Sequence, residues 1–191
     1  RVKNRMETLD LSVNPIGCQG AEAIAALIAG NESLVILSLR DCSLGYRLPT
    51  AADKVSKTAD ASGMLKLVGC LGYNRTLTSI DLSDNHFGSE GCKSIASILS
   101  RGSFTAIRTL DLSHNSLCGK YGNTDESAVI ALAGAVRGHE TLTDLNLVDN
   151  QVTVAAGQAF VEALRFNTSL TQLQLGGGDP VVGNEDVMRG I

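Results

Sequence analysis

Apolar residues recur along this chain in a fixed order: a short alternating run, a polar residue three places on, then apolar positions at helical steps. The segment Met6-Glu-Thr-Leu9-Asp-Leu11-Ser-Val-Asn14-Pro-Ile16 returns as Leu77-Thr-Ser-Ile80-Asp-Leu82-Ser-Asp-Asn85-His-Phe87 and as Ile107-Arg-Thr-Leu110-Asp-Leu112-Ser-His-Asn115-Ser-Leu117. Looser copies begin at Leu34 (Leu37, Leu39, Cys42, Leu44), Leu142 (Leu145, Leu147, Asn150, Val152) and Leu170 (Leu173, Leu175, with Gly178 where asparagine is expected). Within a copy, apolar residues at relative positions 4 and 6 alternate as a half-buried strand does, and the later part turns helical. Gly20-Ala21 with Ile24 and Leu27 shows the helical spacing, and Gly91-Cys92 with Ile95 and Ile98 repeats it. Copies starting at residues 6, 34, 77, 107, 142 and 170 have a base period of 28, lengthened by insertions. The chain therefore divides as a single array: repeats 6–33, 34–76 with an insertion at 46–62, 77–106, 107–141 with an insertion at 118–126, 142–169, and a partial 170–191.

The polar residue at relative position 9 sits among apolar neighbours. An asparagine there both donates and accepts, so it can satisfy turn backbone groups that burial would orphan. Cysteine replaces it in the second copy. On these residues the pattern resembles the leucine-rich repeat, Leu-x-x-Leu-x-Leu-x-x-Asn/Cys-x-Leu, and its 28-residue form is similar to the ribonuclease-inhibitor subclass seen in NOD-like receptors. The resemblance covers practically the whole chain. It implies an α/β solenoid, a right-handed β/α superhelix bent into a horseshoe arc, with a parallel sheet on the concave face and helices on the convex face. It also implies a cytoplasmic, non-enzymatic protein-interaction module or scaffold that works through its concave strands.

Composition narrows the partners. The 191 residues carry 16 Lys plus Arg against 20 Asp plus Glu, a net charge of -4, which is too acidic for a protein built to grip phosphate backbones, so no nucleic-acid partner is expected. The longest nearly unbroken apolar stretch, residues 128–136, falls well short of the roughly 20 residues needed to span a bilayer. No membrane partner is expected. Cys18, Cys42, Cys70, Cys92 and Cys118 are odd in number and never form a Cys-x-x-Cys pair, which argues against a disulfide framework and fits a reducing compartment. The sequons at Asn31, Asn74 and Asn167 each lie three residues before the next repeat's first apolar position, so they read as repeat grammar rather than glycosylation sites. The two ends, Arg1 to Arg5 and Arg189 to Ile191, read as those of a fragment of a longer array.

Relative positions 2, 3, 5, 7 and 8 point away from the core or flank it. They carry Glu7, Asp10, Asp41, Asp81, Asp84, Asp111, Asp144 and Asp149 against only Arg40 and Arg108. That imbalance points to a protein partner with a basic surface, steered in by charge; the alternative is that aspartate merely keeps an exposed strand soluble. Reversing Asp81 and Asp111 to lysine is expected to abolish such binding without much change in melting temperature. Asp41, Asp84, His114 and Asp149, all at position 8, are expected on four successive strands about 4.8 Å apart. Carboxylates beside a histidine are donors for a divalent metal, the alternative being a histidine that simply sits in their field; no metal is assigned. The two insertions fall between strand and helix and are expected to project from one rim, with Arg47, Lys54, Lys57, Lys120 and Tyr121 as contact residues, or to be loops without a role.

Enzymatic signatures are missing. Gly91-Cys92-Lys93-Ser94 has His86 where a phosphate-binding loop needs its first glycine, and the run Gly176 to Gly178 lacks dinucleotide spacing. His86, His114 and His139 stand at strand ends or in loops with no nucleophile partner. No catalytic residue, cofactor or metal is assigned. Two narrower resemblances remain. The segment Leu82-Ser-Asp-Asn-His-Phe-Gly88 is similar to a strand-turn unit of the Ran-type GTPase-activating proteins, which implies a nucleotide-site role for an exposed arginine such as Arg47. The segment Ala163-Leu-Arg-Phe-Asn-Thr-Ser-Leu170, with Gly183-Asn184, is similar to the last repeats of the tropomodulins and implies actin binding or a cytoskeletal or ciliary scaffold.

Overall fold

Every strand of the main sheet is three residues long, spanning relative positions 3 to 5. The computed structural model describes residues 5–49, 58–120 and 123–176; Lys54, Lys57, Tyr121, the Gly177-Gly178 pair and both terminal segments lie outside them. The main strands are β1 (Thr8–Asp10), β2 (Ile36–Ser38), β5 (Ser79–Asp81), β6 (Thr109–Asp111), β9 (Asp144–Asn146) and β10 (Gln172–Gln174). They form one parallel sheet in that order, in register along Leu9, Leu37, Ile80, Leu110, Leu145 and Leu173. Between them run the helices α1 (Gly17–Ala29), α2 (Ser62–Leu71), α3 (Gly88–Ser100), α4 (Ser127–Arg137) and α5 (Val154–Leu164). Two small antiparallel hairpins, β3 (Tyr46–Arg47) with β4 (Thr58–Ala59) and β7 (Gly119–Lys120) with β8 (Asn123–Thr124), precede α2 and α4. Among the described residues no helix is long and apolar enough to cross a membrane.

Leucines at positions 4 and 6 and the helix stripes share one continuous core. The stripes follow steps of three, four and seven: Ala21, Ile24, Ala25 and Ile28 on α1; Cys92, Ile95, Ala96 and Leu99 on α3. Leu27 is exposed and Ile98 only half-buried, so the sequence spacing placed the last stripe residue one position early. Six residues past Ala21 is 240° of net rotation off the face, whereas seven returns to it. At Gly63 an added Cβ would sit 1.9 Å from the backbone oxygen of Cys18; glycine lets α2 close on α1.

Positions 8 and 10 of the turn are left-handed. Asp41, Ser43, Asp84, His86, His114, Ser116, Asp149 and Gln151 all have φ between 51° and 58°, a conformation costing an L-residue roughly 1–2 kcal/mol. A buried asparagine stands between three of these pairs and holds the turn. Asn85 Oδ1 accepts from the backbone N–H groups of Cys42 and Leu44, while its Nδ2 donates to the carbonyls of Leu39, Leu82 and Ser83. Asn115 accepts from Asn85 and donates to Leu82, Leu112 and Ser113; Asn150 accepts from Asn115 and Leu117 and donates to Leu112 and Leu147. Each side chain thus ties its own turn to the preceding one. Cys42 imitates the pattern with a thiol that donates to the Leu11 carbonyl at 3.2 Å and bonds the Asn14 backbone.

Asn85→Ala is expected to cost roughly 3–5 kcal/mol in urea unfolding, since several buried backbone groups lose their partners. Asn14→Ala, at an exposed site bonding only Leu11 and Ser12, is expected to cost about 1 kcal/mol or less by the same measurement. Nothing lies within 4 Å of a Cβ added at Gly134 in α4, so Gly134→Ala is expected to stabilise by about 1 kcal/mol, whereas Gly63→Ala destabilises.

Candidate functional site

Because side chains alternate along a strand, positions 3 and 5 face away from the core that positions 4 and 6 fill. The sheet register lines up position 5 as Asp10, Ser38, Asp81, Asp111, Asn146 and Gln174, and position 3 as Thr8, Ile36, Ser79, Thr109, Asp144 and Gln172. Asp10 and Ile36 are exposed, and Asp81, Asp111 and Asp144 half-buried. Asp81 and Asp111 are direct cross-strand neighbours.

These aspartates also hold the turns. A carboxylate oxygen accepts the backbone N–H two residues on, Ser12 for Asp10, Ser83 for Asp81 and Ser113 for Asp111, each at 2.9 Å. The Ser83 and Ser113 hydroxyls bond the same oxygens, and Asn146 Nδ2 reaches Asp111 at 2.8 Å. The Ser12 bonds hold the Asp10 carboxyl below its ordinary value. Lysine at Asp81 and Asp111 would remove these caps, so the expectation that charge reversal spares stability is corrected: the same side chains present charge and brace the fold.

Position 8 departs from expectation as well. Asp41, Asp84, His114 and Asp149 occupy the left-handed turns just past the strands, not the strands themselves. Backbone bonds from Asp41 to Ser83, Asp84 to Ser113 and His114 to Val148 stack these turns. His114 Nδ1 lies 3.2 Å from Asp149 Oδ2 and 4.0 Å from Asp84 Oδ1, and Arg40 Nε is 3.3 Å from Asp84 Oδ2. Asp84 therefore already faces one cation within the chain. Among the described residues no group of His, Cys, Asp and Glu side chains is arranged to hold a metal ion.

Both hairpins rise at the strand-end rim beside these turns. Arg47 is exposed on β3, and the Tyr46 ring meets His86 edge-on at 5.7 Å. The second hairpin is tied to α3 by Lys93, which bridges Glu90 at 3.3 Å and Asp125 at 3.1 Å. The Ser127 hydroxyl and Lys93 hold the Asp125 carboxyl at about 2. Arg47 and Asp149 thus share one rim with Arg40, Asp41, Asp84 and His114, while Asp10, Asp81, Asp111 and Asp144 lie on the sheet. Tyr121 cannot be placed with either group, being outside the described residues.

The four buried thiols are poorly suited to nucleophilic chemistry. Burial pushes Cys92 up strongly, Cys118 to about 11, and Cys18 and Cys42 upward too. Cys18 Sγ donates to Asp60 at 3.4 Å, an arrangement that keeps its proton on.

Residues 4–25, 73–96 and 138–161 match the family described as Leucine Rich repeat. No curated protein sequence matches significantly. Among solved structures, one titled Leiomodin-1 Actin-Binding Site 2 superposes with a TM-score of 0.61 at 16% identity, over 85% of this chain and 80% of that one. The C-terminal domain of Caenorhabditis elegans tropomodulin superposes with a TM-score of 0.58 at 12% identity, over 87% of each chain. The fold is a leucine-rich-repeat solenoid.

Sequence reasoning recognised the recurrence of Asn31, Asn74 and Asn167 but missed that they form, with His139, a second row of polar side chains on the opposite rim where helices return to strands. Asn31, Asn74, His139 and Asn167 each accept backbone N–H groups two and three residues ahead. The recurrence of Asn three residues before a leucine was the signal for it; His139 hid its membership because it is a different residue type. A groove of about 490 Å³ opens on that rim between the ends of α3 and α4, away from the acidic face.

A thiol reagent is expected to modify half-buried Cys70 in the native solenoid, with Cys42, Cys92 and Cys118 reacting only after denaturation. Counting modified thiols by mass spectrometry with and without urea checks this.

Proposed function

We propose that this solenoid is a non-enzymatic protein-recognition module that takes a basic protein surface on its strand face and the position-8 turns. One observation carries the reading: Asp10, Asp81, Asp111 and Asp144 stand on one side of a single sheet, and no basic residue occupies positions 3 or 5 of any strand in it. Exposed Ile36 in the same rows supplies an apolar contact within the charged field. The 28-residue steps from β1 to β2 and from β9 to β10, with one helix per strand, favour the ribonuclease-inhibitor-like subclass and a single array across the chain. Arg47 and the two hairpins would contact the partner from the rim.

Actin is the second reading, favoured by likeness in fold to the leiomodin actin-binding site, and it would place the chain at the cytoskeleton. A GTPase-activating role would instead rest on Arg47.

Neutralisation tests the reading better than reversal, because asparagine tolerates left-handed turns and keeps hydrogen-bonding capacity. Proteins retained from extract by the wild-type chain are expected to be basic, to be lost as ionic strength rises past about 0.15 M, and to bind Asp41→Asn/Asp144→Asn/Asp149→Asn about tenfold more weakly. Equal recovery by both chains sinks the acidic-face reading. Slowed subunit exchange at actin pointed ends identifies the partner as actin, and loss of GTP hydrolysis stimulation in Arg47→Ala would reveal an enzyme regulator.

A further inference from the structure

His139 occupies the connection between α4 and β9, at the place that Asn31, Asn74 and Asn167 hold in other repeats. On the acceptor side the correspondence is atom for atom. Asn167 Oδ1 accepts from the N–H groups of Ser169 and Leu170 at 3.0 and 2.7 Å; His139 Nδ1 accepts from those of Thr141 and Leu142 at 3.5 and 3.2 Å. Asn74 Nδ2 donates to the carbonyl of Asn31, and Asn167 Nδ2 to that of His139 at 2.9 Å; the His139 ring in turn bonds the backbone of Phe104, the equivalent residue of the preceding repeat. A neutral imidazole with its proton on Nε2 thus reproduces the acceptor and donor of asparagine. His139 is only 7% exposed.

The imitation holds in one protonation state. A proton added to Nδ1 turns the acceptor into a donor aimed at two backbone N–H groups, which then lose their partner inside the fold. We propose that His139 is an acid-sensitive lock on this connection, closed when neutral and released by protonation, and that the asparagine connections lack the device. The junction it holds joins α4 to β9 and borders the rim groove, whose lining includes His139, Glu140 and Thr141.

The surroundings favour the neutral form. Burial lowers the His139 value from the ordinary 6.5, opposed by the Phe104 backbone bond and the field of Glu140. From the next connection Asn167 Nδ2 and the Ser169 hydroxyl both bond the His139 carbonyl, and neither titrates. A folded-state value below the unfolded one means that the unfolded chain binds the extra proton first. Stability is therefore full above the ordinary histidine value and falls as pH drops below it, until the folded-state value is passed.

The test is urea unfolding of the described fold from pH 8 to pH 5 in wild type and His139→Asn, the residue the other connections use. Asparagine keeps the bonds and cannot titrate. Near pH 8 the two chains are expected to unfold alike. Below about pH 6.5 the unfolding constant of the wild type is expected to rise relative to the variant, by up to about tenfold per pH unit. Every other ionisable group is common to both chains and cancels in the ratio. Amide exchange of the wild type gives a second readout that needs no variant: acidification should release Leu142 while Leu170, on the asparagine connection, stays protected. Parallel stability curves, or Leu142 and Leu170 exchanging together at every pH, overturn the proposal.

Discussion

A turn with left-handed residues on both sides of position 9 leaves N–H and C=O groups directed inward, and the buried asparagine is what meets them. The three-residue strands are too short to set their own register, and each asparagine bonds the preceding turn as well as its own. Stacking, register and turn conformation therefore rise or fall together. Unsatisfied, each of those groups would cost roughly 1–3 kcal/mol, an amount comparable to what burying one leucine recovers. Satisfied, they let the backbone reverse tightly enough to return a helix over every strand.

The same economy shapes the acidic face. Aspartate at position 5 caps the turn through its own backbone two residues on, and only the remaining oxygen lone pairs are offered outward. Charge on this face is consequently fixed in place by local hydrogen bonds, a preorganisation that favours recognition by a rigid surface. It is also partly answered from within: Arg40 lies beside Asp84 on the turns, leaving the sheet aspartates as the larger share of the unbalanced field.

Opposite rims carry different chemistry. At the strand ends the acidic turns, Arg40 and the hairpins gather charge; where helices end, Asn31, Asn74, His139 and Asn167 keep polar atoms occupied with backbone. Phe104 at the equivalent place in the third connection is fully buried, so that connection is held by packing instead. The array tolerates asparagine, histidine and phenylalanine at one position because each meets the local demand differently, and only the histidine makes that demand depend on pH.

The alternation of leucines and the fixed place of asparagine determined the fold by themselves, because strand period, helix period and a buried polar site are properties of neighbours in sequence. Cysteine in place of asparagine at Cys42 was legible for the same reason. The acidic residues could be counted in the sequence, but their dual role could not, since whether Asp81 spends an oxygen on Ser83 depends on the conformation of the turn. That Ile28 and not Leu27 faces the core follows from the helix period counted from Ala21. Tertiary structure alone decided that position 8 lies beyond the strands and that the ring of His139 does the work of three asparagines. Those outcomes depend on turn geometry and the placement of backbone donors, neither of which is encoded in residue type.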